Sequence, residues 1–206
     1  VAACLKNNIK KIVVASSAAV YGESNSSEIK LNEEDEKNPI SPYGESKMIM
    51  EQYVEEKLST CTMDYVILRF FNIFGPWQDP FGDYAAVVPR WIDAFITGNK
   101  PIIFGDGSAT RDFCYVGNVC ELVEKLGIGK LEKISGVYNI ASGKSISLNE
   151  LFSEIVTALK EKNIKLDFDK ADYQPWRDGD IKHSLGSIEL ASKKLDFAPL
   201  VVLKGG

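Results

Sequence analysis

Apolar residues come first in short unbroken runs and later at helical spacing. Lys11-Ile-Val-Val-Ala15 is a compact apolar run followed by small residues, the pattern of a parallel strand buried on both faces. Val1–Asn7 before it reads as the tail of a helix. Val20-Tyr21-Gly22 leads into a polar, acidic loop over 23–38. From Ser41 to about Ser59 the spacing predicts a helix, with Met48, Ile49, Gln52, Tyr53 and Leu58 on or near its faces. Pro42 takes its first position and Ser41 caps it. Asp64-Tyr-Val-Ile-Leu-Arg-Phe-Phe71 is a second buried strand. Strands alternating with helices imply parallel crossovers, hence an α/β sheet.

Beyond Phe71 the texture changes. Residues 72–84 form a loop rich in Gly, Pro and aromatics, and Ala86–Thr97 reads as a helix carrying Arg90 and Trp91. Ile102–Phe104 is short and β-like before the turn Gly105-Asp-Gly107. Strands are predicted at Asp112–Val116, Val137–Ala141 and Ile164–Phe168. Helices are predicted at Asn118–Leu126, from the capping box Ser147-Leu-Asn-Glu150 to about Glu161, and at Ser187–Leu195. Residues 174–184 read as an irregular polar loop. These elements suit a smaller mixed lobe beside the parallel sheet, dividing the chain at about 1–71 and 72–206, the second part being mainly the smaller lobe with short returns to the parallel sheet.

Composition narrows the chemistry. The 206 residues are 45% hydrophobic, enough for a buried core, and the net charge of -5 argues against a nucleic-acid surface. Four cysteines without paired spacing read as reduced thiols of a cytoplasmic protein. His183 is the single histidine, which leaves little from which to build a His-based metal cluster or a Ser-His-Asp triad. No run is apolar enough to span a membrane, and no membrane partner is expected.

The most informative chemistry is Tyr43-Gly-Glu-Ser-Lys47, with Ser16-Ser17 upstream. A Tyr and a Lys four apart on a helix lie within reach of each other. An ammonium beside a phenol favours the phenolate, as does a place in the first turn of the helix, and both suit a general base. Tyr53 and Lys57 repeat the spacing in mid-helix, where a solvated face is the natural reading. A Gly-rich dinucleotide turn of the G-x-G-x-x-G kind is missing from this sequence. Val1 follows no initiator Met, so the expectation is a fragment whose cofactor half precedes Val1.

Several segments together carry a resemblance. Val13-Val-Ala-Ser-Ser-Ala-Ala-Val-Tyr-Gly22, Ser41-Pro-Tyr-Gly-Glu-Ser-Lys47 and Leu68-Arg-Phe-Phe-Asn-Ile-Phe-Gly-Pro76 resemble the extended short-chain dehydrogenase/reductases, the group of nucleotide-sugar epimerases and dehydratases. Thr110-Arg-Asp-Phe-Cys-Tyr-Val116, Tyr138-Asn-Ile-Ala141 and Arg177-Asp-Gly-Asp180 follow in the family's order. The resemblance implies part of a Rossmann-like doubly wound parallel sheet plus a mixed α/β substrate-binding lobe. It implies NAD as cofactor, a UDP-sugar as substrate and a homodimer packed through the Tyr43 helix and the Val1–Asn7 helix.

By the same resemblance, Tyr43 exchanges the proton of the sugar 4-hydroxyl, Ser17 bonds the 4-oxygen, and Lys47 serves Tyr43 and the nicotinamide ribose. Ser16 and Phe70 fall among the cofactor contacts. Asn72, Val88, Arg111, Arg177 and Ser184 fall among the substrate contacts, the two arginines as diphosphate ligands. Each arginine could instead pair with a neighbouring carboxylate, since Asp112, Asp178 and Asp180 are adjacent. Ala18 and Ala19 stand where dehydratases carry acidic residues, and methyl groups cannot move protons. That leaves C4 epimerisation. The segments at 74–80, 84–89 and 179–184 look most like the UDP-N-acetylglucosamine branch. Ser184 takes a position that holds a bulky Tyr in glucose-restricted bacterial enzymes, and so leaves room for a 2-acetamido group. UDP-glucose or UDP-glucuronate epimerisation, and sugar-nucleotide binding without NAD, stay open alternatives.

Overall fold

A computed structural model describes every residue except 25, 83, 84, 130, 132, 178 and 206. Tyr84 and Asp178 of the motifs above therefore lie outside the described residues. Three parallel strands form the first sheet in the order β1 (Lys11–Ser17), β2 (Asp64–Phe70), β6 (Gly136–Ile140). Ser17 pairs in register with Phe70, so both stand at the carboxyl ends of their strands.

β2 is covered on both faces, which is why it reads as an unbroken apolar run, whereas β1 is covered on one face only and leaves Val13 and Ala15 exposed, against the expectation of a strand buried on both. Val66 and Leu68 of β2 pack against Leu122 and Leu126 of α4 (Val116–Gly127) and against Ala191 and Leu195 of α6 (Glu189–Leu195). Ile67, pointing the other way, packs with Val54 and Leu58 of α2 (Pro42–Leu58). Ile12 and Val14 of β1 share this second face. The helix starts as expected: Ser41 Oγ accepts from the Gly44 amide at 3.1 Å, and Pro42 opens the first turn.

The second core belongs to the smaller lobe. Trp91 and Phe95 of α3 (Val87–Ile96) meet Leu151, Phe152 and Ile155 of α5 (Leu148–Glu161) around Phe74, Ile103 and Phe113. The capping box of α5 is present: Ser147 Oγ accepts from the Glu150 amide, and the Glu150 carboxylate accepts from the Ser147 amide. Two small sheets complete the lobe. One has the order β3 (Asn72–Phe74), β5 (Thr110–Tyr115), β7 (Ser145–Ser147), and the other pairs β4 (Ile102–Phe104) with β8 (Asp172–Gln174).

Two further expectations need correction, and a strand appears that the pattern does not predict. Residues 72–84 are not loop throughout, because β3 sets Asn72 in a sheet beside Phe113. Ser145–Ser147 is a strand. Ile164–Phe168 is not one: Ile164 and Leu166 do pack against the second core, but the partner that β4 takes is β8. The alternation marked burial, and burial alone does not supply a ladder partner.

Candidate active site

Two cavities meet along the carboxyl ends of β1, β2 and β3. The smaller, about 240 Å³, is lined by Ser17, Ala18, Ala19, Leu31, Phe70, Ile181 and Ser184, among others. The larger, about 580 Å³, runs past Val88, Trp91, Ile102, Phe104, Trp176 and Arg177. Asn72, Arg111 and Asp180 line both, so the two volumes share one wall. This is where open α/β sheets bind ligands.

The chain builds the small cavity from close backbone approaches. Ser17 ends β1, and its hydroxyl accepts from the Ala19 amide at 3.2 Å, capping the short 3-10 turn Ala18–Val20. Helix α2 can lie against this turn because residue 44 is glycine. A Cβ there would stand 2.5 Å from the Ala19 carbonyl oxygen. Opposite, the segment 182–187 is tied to β5 by the Ser184 amide on Thr110 O at 3.1 Å, and to the 23–38 loop by the Ser187 amide on Leu31 O at 2.9 Å. Gly186 passes so close to Phe71 and Ala141 that a Cβ would lie 2.7 Å from the Ala141 methyl.

Asp112 fixes that side. It is fully buried and accepts from Ser142 Oγ and the amides of Ser142, Gly143 and Gly186 at 2.6–3.2 Å. Burial pushes its carboxyl up from the usual range, against the pull of these four donors.

Tyr43 lies in the first turn of α2 with its ring half exposed. Lys47 Nζ sits 5.6 Å from that ring's centroid and donates to Ala15 O at 2.9 Å, near the end of β1. The repeated pair Tyr53 and Lys57 shows a similar ring contact, 5.9 Å, so that contact does not separate the two copies. What separates them is Lys47's bond to β1 and the Gly44 contact with the Ser17 turn.

The two arginines behave differently. Arg177 forms a pair with Asp180, Nε to Oδ2 at 3.0 Å, and stacks 4.1 Å above the Phe104 ring. Arg111 is partly buried and spends one nitrogen, Nη1, on Thr110 O and Lys182 O. Among the described residues no carboxylate lies within ion-pair distance of it. Burial pushes this guanidinium down from its ordinary value, Asp180 opposes and Arg177 adds to the fall. A positive charge in that condition calls for an anion, and it stands at the junction of the cavities.

The other expected residues fall as follows. Asn72 is half-buried at the shared wall, Val88 lines the larger cavity, and Phe70 and the buried Ser184 line the smaller. Ser16 is buried, and its hydroxyl donates to Glu51 Oε1 at 2.5 Å, so any cofactor contact from it falls to its backbone. Sequence reasoning missed Glu51 and Arg69, buried together beneath the site. The available signal was Arg69 itself, a charge inside an otherwise apolar buried strand, which must have a partner.

Comparison with known proteins fits this architecture. Residues 1–141 match the NAD dependent epimerase/dehydratase family. A Methanocaldococcus jannaschii protein, provisionally named a UDP-glucose 4-epimerase, is 38% identical over 98% of the chain and 62% of its own length. The solved UDP-N-acetylglucosamine 4-epimerase of Methanobrevibacter ruminantium M1, in complex with UDP-N-acetylmuramic acid, is 39% identical with a TM-score of 0.84, covering 96% of this chain and 60% of that one. MoeE5, solved with UDP-glucuronic acid and NAD, is 29% identical with a TM-score of 0.86, over 100% of this chain and 64% of that one. The chain thus spans about three-fifths of the length of these relatives. With a family match over more than half of its length and this fold, the chain belongs to the NAD dependent epimerase/dehydratase family.

Proposed function

We propose that this chain carries the acid–base residues and the sugar-nucleotide site of an enzyme that inverts C4 of a UDP-hexose, with UDP-GlcNAc and UDP-GalNAc as the preferred pair. The observation that carries this is Arg111, a guanidinium without a carboxylate partner among the described residues, at the junction of a large and a small cavity. A diphosphate placed there sends its nucleoside into the large cavity and its sugar toward Ser17.

Each residue then has a task. Ser17 Oγ holds the 4-oxygen. The Tyr43 phenol exchanges the 4-hydroxyl proton, while Lys47, bonded to β1, fixes the approach of α2 and offers its remaining N–H groups. Ala18 and Ala19 present methyl groups to the small cavity, so its wall beside Ser17 offers no second acid or base for water loss. Ser184, small and buried, leaves the far wall open to a 2-acetamido group.

NAD fits the same face: Phe70 ends β2, and Tyr43 and Lys47 of α2 lie beside the end of β1, where Lys47 Nζ donates to Ala15 O. When bound, NAD supplies the acceptor and donor of hydride at C4. A homodimer through α2, whose Ile49 and Tyr53 are exposed, belongs to this proposal.

The test is interconversion of UDP-GlcNAc and UDP-GalNAc, followed by chromatography, against UDP-glucose and UDP-glucuronate. Faster turnover of either unacetylated sugar would overturn the substrate assignment. Tyr43→Phe should lower turnover by about 10²–10⁴-fold, the range for a lost acid–base group, with UDP affinity unchanged.

A further inference from the structure

A charge cluster lies under the small cavity, between α2 and the sheet, and the chemistry above does not use it. Arg69 and Glu51 are both essentially inaccessible to solvent. Arg69 is two residues beyond Ile67 and so shares its face of β2, the one α2 covers. Their contact is a two-toothed fork, Nε to Oε1 at 2.9 Å and Nη2 to Oε2 at 2.8 Å. The carboxylate also accepts from Ser16 Oγ on β1 and from Lys37 Nζ at 3.1 Å. The remaining Arg69 nitrogen donates to Tyr21 Oη at 2.8 Å and to Glu33 O at 3.0 Å. Tyr21 Oη in turn donates to Asn139 Oδ1 on β6, and Asn139 Nδ2 donates to Leu31 O.

Two consequences meet in this cluster. Tyr43, Lys47 and Glu51 succeed one another at intervals of four along α2, so holding Glu51 sets the rotation of the helix that carries the other two. Leu31 lines the small cavity and bonds to the backbone on either side of Gly186, next to Ser184. The cluster therefore touches both the reacting side and the sugar-binding side, and none of the large cavity's wall.

Resting on the function proposed above, we infer that Arg69 and Glu51 are positioning residues: their fork holds Tyr43 and Lys47 in register with Ser17 and holds the Leu31 wall at its distance from the sugar. A buried ion pair adds little net stability over apolar side chains of similar size, so retention of one argues for geometry rather than strength. The fork geometry needs a guanidinium, because a lysine ammonium cannot bond both oxygens at once while reaching Tyr21 and Glu33.

The experiment compares the full-length protein with Arg69→Lys and with the double variant Glu51→Met/Arg69→Met. Three quantities are measured: melting temperature, UDP dissociation constant, and kcat and KM for the UDP-sugar. A misplacement near 1 Å at reacting atoms costs about 100-fold in rate, so kcat should fall by that order in the double variant. UDP affinity should stay within about twofold, and apolar packing should keep the melting temperature near wild type. Full turnover in a folded double variant would overturn the proposal, and so would loss of UDP affinity in step with turnover. Should the double variant fail to fold, Lys37→Met removes one donor from the rim of the cluster. It should lower kcat by about tenfold, a fraction of that misplacement effect, without changing UDP affinity, and unchanged kcat would equally overturn the proposal. A wild-type protein that binds UDP but turns over no UDP-sugar would sink the underlying function instead.

Discussion

Ser184 and Asp112 show how much one side chain can decide here. Ser184→Tyr would fill the far side of a cavity of about 240 Å³. UDP-GlcNAc, the substrate proposed above, should then lose turnover relative to UDP-glucose by at least about 10–200-fold, the range for a single misfitting methylene. Substrate competition assays read that ratio directly. Asp112→Asn turns an amide NH₂ toward backbone amides that now donate to a carboxylate. An unsatisfied buried donor costs about 1–3 kcal/mol, so the variant should melt earlier by a margin calorimetry resolves. Arg111 and Arg177 are adjacent to carboxylates in the sequence to the same degree. One finds its partner in Asp180, and the other finds none among the described residues. Sequence proximity could not tell them apart, because β5 holds Arg111 against Thr110 O and Lys182 O, a contact 71 residues away.

Among the elements, those with a local signal could be read directly. The Ser41-Pro42 start of α2 and the Ser147/Glu150 box of α5 are written in four adjacent residues each, and both form as expected. The three-residue strands β3, β7 and β8 were not legible, since each exists only through a partner far along the chain. The Glu51–Arg69 fork was hidden for the same reason, although an arginine among Val66, Ile67 and Leu68 announced that some partner must exist. Gly44 offers a test at this scale. In an isolated helix, Gly→Ala gains about 1 kcal/mol. Here the added methyl meets the Ala19 carbonyl, and overpacking of that kind costs about 1–3 kcal/mol. Gly44→Ala should therefore lower the melting temperature and reduce turnover, because α2 must back away from the Ser17 turn. A stabilised variant with full activity would contradict the close approach.

Over the whole molecule, acid sensitivity follows from two buried carboxyls with opposite shifts. Burial raises Glu51, but the bonds from Arg69, Ser16 and Lys37 outweigh it and hold the carboxyl below its ordinary value of 4.5. Its contribution to stability is complete above that value and is lost as pH falls through the lower, folded-state value. Asp112 is raised, so protonation in mild acid relieves part of the cost of burying its charge. The fall in melting temperature between neutral pH and pH values below 4.5 should flatten in Glu51→Gln and steepen in Asp112→Asn. No helix among the described residues is long and apolar enough to cross a membrane.

The wall that Asn72, Arg111 and Asp180 lend to both cavities also makes the site a measuring device. The sugar nucleotide proposed above would place its base in the larger chamber and its ring in the smaller with its linker across Arg111, so the linker's length would be read along with its charge. On that reading a sugar joined to its nucleoside through one phosphate, a shorter linker, should bind more weakly than the diphosphate. A free sugar phosphate reaches the cation with nothing to anchor it. Selectivity for the handle and selectivity for the sugar can then drift apart over evolution, because changing either chamber leaves the ruler between them intact.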